Sequence, residues 1–538
     1  MHDYRYSLLI DDYGDAAKID DVFLTNLYIY FRHGGYNNII VDNSINLMIS
    51  IFLMLFIKFI YSCIDFHGLF TNTGEHAINE FIDWGKFGYF DAFMAISFIV
   101  FLIYIIFRCI TTYQNIKKFR KTKQFYNKTL KIDDMEIRNY SWERIIDKLI
   151  EKSQNTSTTN VYTVTSRIMK MDNIFISLFD KKIIPFTHLN SLVEWNIRHC
   201  FLHTLQDEFN NMSLDNPKNQ ETYKEEVKKR LFRAGVLNLI FLPFILLFIG
   251  FYTIIQYGEA FYNTPSLVTS RTWTLTSKWR FRFYNELPHI FENRMELASK
   301  EMKDYFAQFN HRILEIISRF IVFVVSSIFL LLILIVFINE NNLTNKGFFG
   351  FQPLLWYITI CATILAIFRN FTKNNIMTHP HESLDEANHH LKLISETNIK
   401  YANSPHVRNK MAMYYQYHLV CLFREVLSIV ITPFYYMPKL YEHSDEICQF
   451  ILDYLENHRI MGNVSKFSIF TKYTTDVIDQ NPKLKYSIES FRENHTGWTI
   501  NSFDMASTLQ PDDKLELPNS SIYETIVAID DSSEDETF

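Results

Sequence analysis

Six stretches of the chain are almost wholly apolar, and the intervals between them are polar and patterned. Ile45–Ile64, Phe90–Ile110, Ala234–Tyr257, Phe320–Ile338, Phe351–Phe368 and Val420–Tyr436 each reach or approach the length of a spanning helix, which needs ~20 apolar residues. The polar intervals read as helices. In MELASKEMKDYFAQFNHRILEII, apolar residues recur at Met295, Ala298, Met302, Phe306, Phe309 and Ile313, three or four apart. The expected fold is therefore an all-α integral membrane protein, its cytosolic helical layer continuous with the membrane helices.

Charge orients the segments, because cytosolic flanks are enriched in Lys and Arg. TTYQNIKKFRKTKQFYNK, after the second segment, carries six basic residues, whereas 65–89 carries four acids against Lys86 alone. The first loop is thus expected to be lumenal and the N-terminus cytosolic. The third segment has Pro243 at its middle and basic residues on both flanks, and Pro433 and Pro438 interrupt the sixth. Both are expected to be broken, re-entrant hairpins, with a proline-kinked span as the alternative. The expected organisation is a cytosolic tail (1–19), a core (20–498) and an acidic tail (499–538). The core has spans near 45–64, 90–110, 316–338 and 351–368, and re-entrant elements near 234–257 and 420–440; both termini are cytosolic.

Composition narrows the function classes. Hydrophobic residues make up 48% and Phe alone 49 positions, so the chain is not a string of soluble domains. The net charge of −6 is concentrated in 499–538, which hold ten acids and one lysine. That composition predicts a disordered appendage on a weakly basic body. No cleavable signal peptide is evident in MHDYRYSLLIDDYGDAAKID, and the six cysteines show no paired spacing. No phosphate-binding loop, nucleophile elbow or zinc-protease motif occurs, and no basic array suits nucleic acid. His381, Asp385 and His389 share a helical face at metal-ligand spacing, but solvated helix positions are the expected reading. No cofactor or metal is expected.

Several strings stand out in order: DDVFLTNLYIYFRHGGYNNIIVDNSINL, CIDF (63–66), RIMKMDNIFISLFDK (167–181), VEWN (193–196), RLFRAGVLNLIFLPF (230–244), FYNELPHIF (283–291), His379-Pro380, REVLSIVITPF (424–434) and ESFRENHTGW (489–498). With their interleaved apolar segments, they resemble the autophagy-related protein 9 family over most of residues 20–498. The resemblance implies a homotrimer on Golgi-derived and endosomal vesicles and on preautophagosomal membranes, with the endoplasmic reticulum a further site. It implies ATP-independent phospholipid scrambling rather than an enzymatic reaction, with phospholipids as the cargo. A bridge-like lipid-transfer protein is an implied partner, as are autophagy scaffold proteins. A vesicle-seeding scaffold and an ion channel are the alternatives.

Scrambling needs a polar track for headgroups at membrane depth, where polar side chains are otherwise costly. The candidates are Asn46, Lys58, Arg108, Glu315, Arg319, Thr359, Thr363, Arg369, Arg424 and Glu425. Residues near segment ends could instead snorkel to headgroups, and Asp91 is expected to cap a helix. Family members can carry Lys-Arg-Glu before the proline after the first hairpin; Tyr262-Asn263-Thr264 stand here instead. The string FYNELPHIF is read as a rigid elbow: Asn285 caps a helix, Pro288 lies in its first turn, and Leu287, Ile290 and Phe291 face the helical layer. Glu286 and His289 complete the family motif. Arg280, Arg282 and Arg294 are expected to meet lipid phosphates or acidic partners. In the tails, Tyr6 and Leu9 resemble an adaptor-complex sorting signal. Tyr523 and Ile526 resemble a motif captured by ubiquitin-like modifiers.

Overall fold

The computed structural model describes residues 20–71, 78–88, 91–152, 160–186, 188–208, 216–263, 270–309, 312–338, 353–369, 379–458, 460–473, 478, 480–495 and 498. The tail motifs at Tyr6, Leu9, Tyr523 and Ile526 lie outside them.

Helix α1 (Asp21–His33) starts on an Asp20 cap and ends at Gly34, whose φ of 68° is the left-handed conformation that favours glycine. Helix α2 (Tyr36–Cys63) and helix α3 (Ala92–Phe125) form an antiparallel apolar pair. Asp91 caps α3 as expected, accepting the Met94 N–H at 2.8 Å, and it also accepts the Tyr61 hydroxyl of α2 at 2.5 Å. Met54, Phe101 and Ile105 pack between these helices. Both run beyond the apolar segments read from the sequence, because their polar ends continue into the helical layer.

Helices α4 (Trp142–Lys152), α5 (Val161–Ile168), α6 (Lys170–Asp180) and α7 (Ser191–Ile197) build that layer. Helix α8 (Pro217–Asn263) then corrects the first expected hairpin: it runs unbroken for 47 residues through Pro243, about 70 Å at 1.5 Å per residue. Proline removes one backbone bond and crowds the preceding turn, but packing on both sides holds the helix together. Tyr223, Val227, Leu231 and Ala234 are anchored in the layer below, and beyond the proline Phe244 stacks on Phe93 while Phe248 packs on Phe101.

Strand β1 (Arg271–Trp273), helix α9 (Leu275–Phe281) and the elbow lead into helix α10 (Pro288–Ala307). Met295, Ala298, Met302 and Phe306 are buried, as the periodicity requires. Helices α11 (Arg312–Ile338) and α12 (Leu354–Phe368) pack against each other as the expected hairpin. The described part of α12 is 15 residues, about 22 Å long, shorter than a hydrocarbon core. Helix α13 (Pro380–Leu391) packs on α10 and carries His381, Asp385 and His389 on its exposed side.

Strand β2 (Tyr415–Tyr417) pairs antiparallel with β1, Thr272 opposite Gln416. Helix α14 (His418–Ile431), a π-helical turn (Thr432–Tyr436) and helix α15 (Met437–Glu442) follow without a gap. The second hairpin expectation is thus corrected too: Pro433 sits at the start of the wide turn, where the chain loosens instead of reversing. Helix α16 (Ser444–Tyr454), strands β3 (Leu455–His458) and β4 (Gly462–Ser465), and helix α17 (Pro482–Asn494) complete the layer. The two short ribbons amend an otherwise all-α expectation. Five helices among the described residues are long and apolar enough to cross a membrane: α2, α3, α8, α11 and the run 418–442.

Candidate functional site

Two groups of polar side chains stand out on the apolar helices. The first lies between α2 and α3. Lys58 is 1% exposed despite its charge, and it interacts electrostatically with Asp91. Asn46, on the same helix, faces outward. Arg108 of α3 is half-buried, and its Nε has no hydrogen-bond partner.

The second group lines the seam where α8 and α14 meet the helical layer. Asn238 of α8 donates to Asn196 of α7 at 3.1 Å. Glu425 of α14 accepts the Ser191 N–H at 2.9 Å, and Arg424 donates to Gln416 at 2.8 Å. At the far end, His418 and Tyr257 lie 3.2 Å apart. Ser428 and Thr432 are buried, and the Thr432 hydroxyl donates to the Ser428 carbonyl. The opposite faces of the same helices expose Leu237, Ile240, Phe423 and Leu427, and Phe434 is exposed on the turn that follows α14. Each helix thus presents one polar face toward the layer and one apolar face outward.

The other expected track residues divide. Glu315 and Arg319 pair with each other one turn apart on α11. The Thr359 and Thr363 hydroxyls of α12 donate to carbonyls of their own helix at 2.9 and 2.8 Å, which shields their polarity. Arg369 is exposed at the helix end, a snorkelling position. Of the Tyr262-Asn263-Thr264 departure, Thr264 lies outside the described residues. The sequence pattern does not single out Asn196, Asn238, Tyr257, His418 or Gln416: Tyr257, His418 and Gln416 sit at or just beyond the edges of apolar runs, and the partners of all but Gln416 are remote in the chain.

The elbow is a buried polar knot. Asn285 does not cap α10; the cap position is Leu287, with Pro288 first in the helix as expected. Asn285 instead adopts φ 56° and binds Asn173 and the Ser468 carbonyl. A short polar residue tolerates that conformation, so a tertiary clamp replaces the expected cap. Glu286 accepts from Arg294 at 2.7 Å and from the Phe283 N–H at 2.9 Å. The Tyr28 hydroxyl and His289 Nδ1 lie 2.8 Å apart in a hydrogen bond. Leu287 and Phe291 are buried, and Ile290 packs against the cluster that holds Leu24, Leu27 and Trp142, as expected.

The arginines behave differently from expectation. Arg282 is buried and paired with Asp172 at 3.0 Å, and Arg294 is committed to Glu286 and two carbonyls. Neither is offered to lipid, because a buried guanidinium needs several internal acceptors. Arg280 alone of the three is exposed. Burial would raise the Asp172 carboxyl, but Arg282 and Arg198 outweigh it and hold the group below the usual range. Burial lowers His289, with Arg32 adding to it, and pushes His495 down to about 4, with His289 adding to it.

This arrangement defines a multi-helix membrane protein whose apolar helices are anchored in one continuous helical layer. The model of the Autophagy protein ATG9 family matches residues 16–471, and the chain belongs to that family. It is 25% identical to autophagy-related protein 9 of Dictyostelium discoideum over 96% of this chain and 79% of that protein. It is 27% identical to the Kluyveromyces lactis protein of the same name, over 86% of this chain and 53% of that one. The chain thus spans about half the length of such fungal relatives. The fold matches the cryo-EM structure of Schizosaccharomyces pombe Atg9 with a TM-score of 0.64 and 22% identity, covering 84% of this chain and 98% of that one.

Proposed function

We propose that this chain is a phospholipid scramblase of autophagosome precursor membranes, equilibrating lipid between leaflets without ATP. The observation that carries the reading is the two-faced character of α8 and α14. Their inner sides hold Asn238, Glu425, Arg424 and His418 in hydrogen-bonded contact, while their outer sides expose Leu237, Ile240, Phe423 and Leu427. A headgroup moving beside such a polar seam keeps hydrogen-bonding partners while its tails stay in hydrocarbon, which lowers the desolvation barrier. Lys58 adds a buried cation to the neighbouring pair.

Both flanks of α8 touch the same layer, through Lys228–Asp445 at one end and Tyr257–His418 beside the β1–β2 ribbon at the other. In this reading α8 and the run 418–442 enter and leave the cytosolic leaflet together, and both termini are cytosolic. The working form is a homotrimer on preautophagosomal, Golgi-derived and endosomal membranes, supplied with lipid by a bridge-like transfer protein. Purified protein in liposomes with leaflet-labelled lipid tests the reading. Label equilibration supports it; conductance in planar bilayers without equilibration favours a channel instead.

A further inference from the structure

The buried stripe of α8 marks where the helix leaves its N-terminal anchor in the helical layer. Tyr223, Val227, Leu231, Ala234 and Asn238 are buried in turn, and no later residue of the helix is buried through 258. Over the same turns an exposed apolar surface begins at Phe232 and continues through Val236, Leu237, Leu239 and Ile240. The polar-to-apolar boundary of this helix therefore lies within 232–240. The Asn196–Asn238 bond fixes α7 at that boundary, and the contacts of Ser191 with Glu425 and of Phe186 with Tyr436 hold this shelf, formed by α7 and the segment before it, to α14 and the π-helical turn after it.

On the outer side of this shelf, Trp195 is 56% exposed. Its indole stacks on His199, with centroids 5.0 Å apart and planes within 5°, and His203 follows at 6.2 Å from His199. A π-helical turn at Arg198–Leu202 accompanies this division of side chains. Arg198 is drawn inward to Asp172 and Glu194, each at 2.9 Å, while the tryptophan and both histidines remain outside. An exposed indole is costly in water but favoured at the headgroup level of a bilayer, where one edge is apolar and the N–H is wet.

We propose that the Trp195–His199–His203 face is a membrane-surface platform, seated in the headgroup zone of the phospholipid leaflet that receives α8. Two observations select a lipid leaflet as the occupant. The exposed apolar surface continues from the same level of α8, and residues 225–233 carry four basic side chains against Glu225, Glu226 and the Asp445 carboxylate that pairs with Lys228, a net positive balance that favours phosphate. The platform would hold the layer at a fixed height above the bilayer, so it depends on membrane embedding and is independent of lipid movement.

The test uses the full chain in phosphatidylcholine vesicles whose acyl chains carry bromine at a shallow or a deep position. The tryptophan emission lost on Trp195→Phe isolates residue 195; the substitution keeps an aromatic ring for His199 and removes no buried group. Trp356→Phe, on apolar helix α12, serves as the membrane reference. Shallow bromine is expected to quench the Trp195 component by about twofold, and more strongly than deep bromine does. An unquenched component would overturn the platform. Emission that shifts on trimer dissociation would then identify a second copy as the occupant, and emission open to an aqueous quencher would identify solvent. Scrambling in the same vesicles is read separately, so its failure leaves this result interpretable.

Discussion

Asn285 and Asn173 hold each other reciprocally. The Asn173 amide donates to Asn285 Oδ1 at 2.7 Å, and the Asn285 backbone N–H donates back to Asn173 Oδ1 at 2.9 Å. This contact joins the elbow to α6 from 112 residues away. Both residues are buried, so neither can exchange its partner for water.

Asn285→Leu is expected to destabilise the protein by about 3 kcal/mol, from the positive φ and the unsatisfied amides together. Asn285→Gly keeps the conformation and should cost about half as much. Thermal unfolding in detergent measures both. Equal loss in the two variants would mean that the backbone conformation contributes little.

Arg294 and Glu286 form a buried pair with a second bond at 2.8 Å, and the guanidinium lies 4.1 Å from the Phe283 ring centroid. Removing one partner leaves the other charge buried, at a cost of about 3–5 kcal/mol. Glu286→Gln and Arg294→Met should each lower the melting temperature sharply, and the double variant should lose less than the sum. Simple additivity would show that the two act independently.

Acid should loosen the junction of α17 with α4. His495 contacts Glu143 at 3.1 Å with His289 nearby, and its pKa falls from 6.5 to about 4 in the fold. Between those values the unfolded chain binds the proton and the folded one does not, so stability rises with pH through this window. The contribution is complete above pH 6.5 and is lost as pH falls toward 4, about 3 kcal/mol in all. His495→Gln should flatten the stability profile there. An unchanged slope would assign the acid sensitivity to other groups.

Lys58→Leu removes a buried cation from the α2–α3 pair and should preserve folding. Lipid equilibration in vesicles is expected to slow by about threefold or more if the charge serves headgroups at depth. Unchanged equilibration with an unchanged melting temperature would place Lys58 outside the track.

The apolar helices were legible because hydrophobic runs and period-3.6 patterns are local. Asp91 as a cap and Pro288 at the start of α10 were legible for the same reason. The continuity of α8 through Pro243 was not, since packing against Phe93 and Phe101, more than 100 residues upstream, decides whether a proline breaks a helix. Asn285 misled because the same residue type favours both a cap and a left-handed turn, and Asn173 settles which. The seam is half-visible: Arg424 and Glu425 are conspicuous as charges beside an apolar run, but Ser191 is ordinary until the fold brings it alongside Glu425 from 234 residues away.

The central claim meets its most direct test when purified protein is reconstituted into vesicles with a headgroup fluorophore in both leaflets, and a membrane-impermeant reductant is added without ATP. Scrambling predicts that the inner-leaflet label is also lost, at a rate set by protein density. A stable inner-leaflet signal equal to that of protein-free vesicles, with the protein shown to be inserted and folded, would contradict the account.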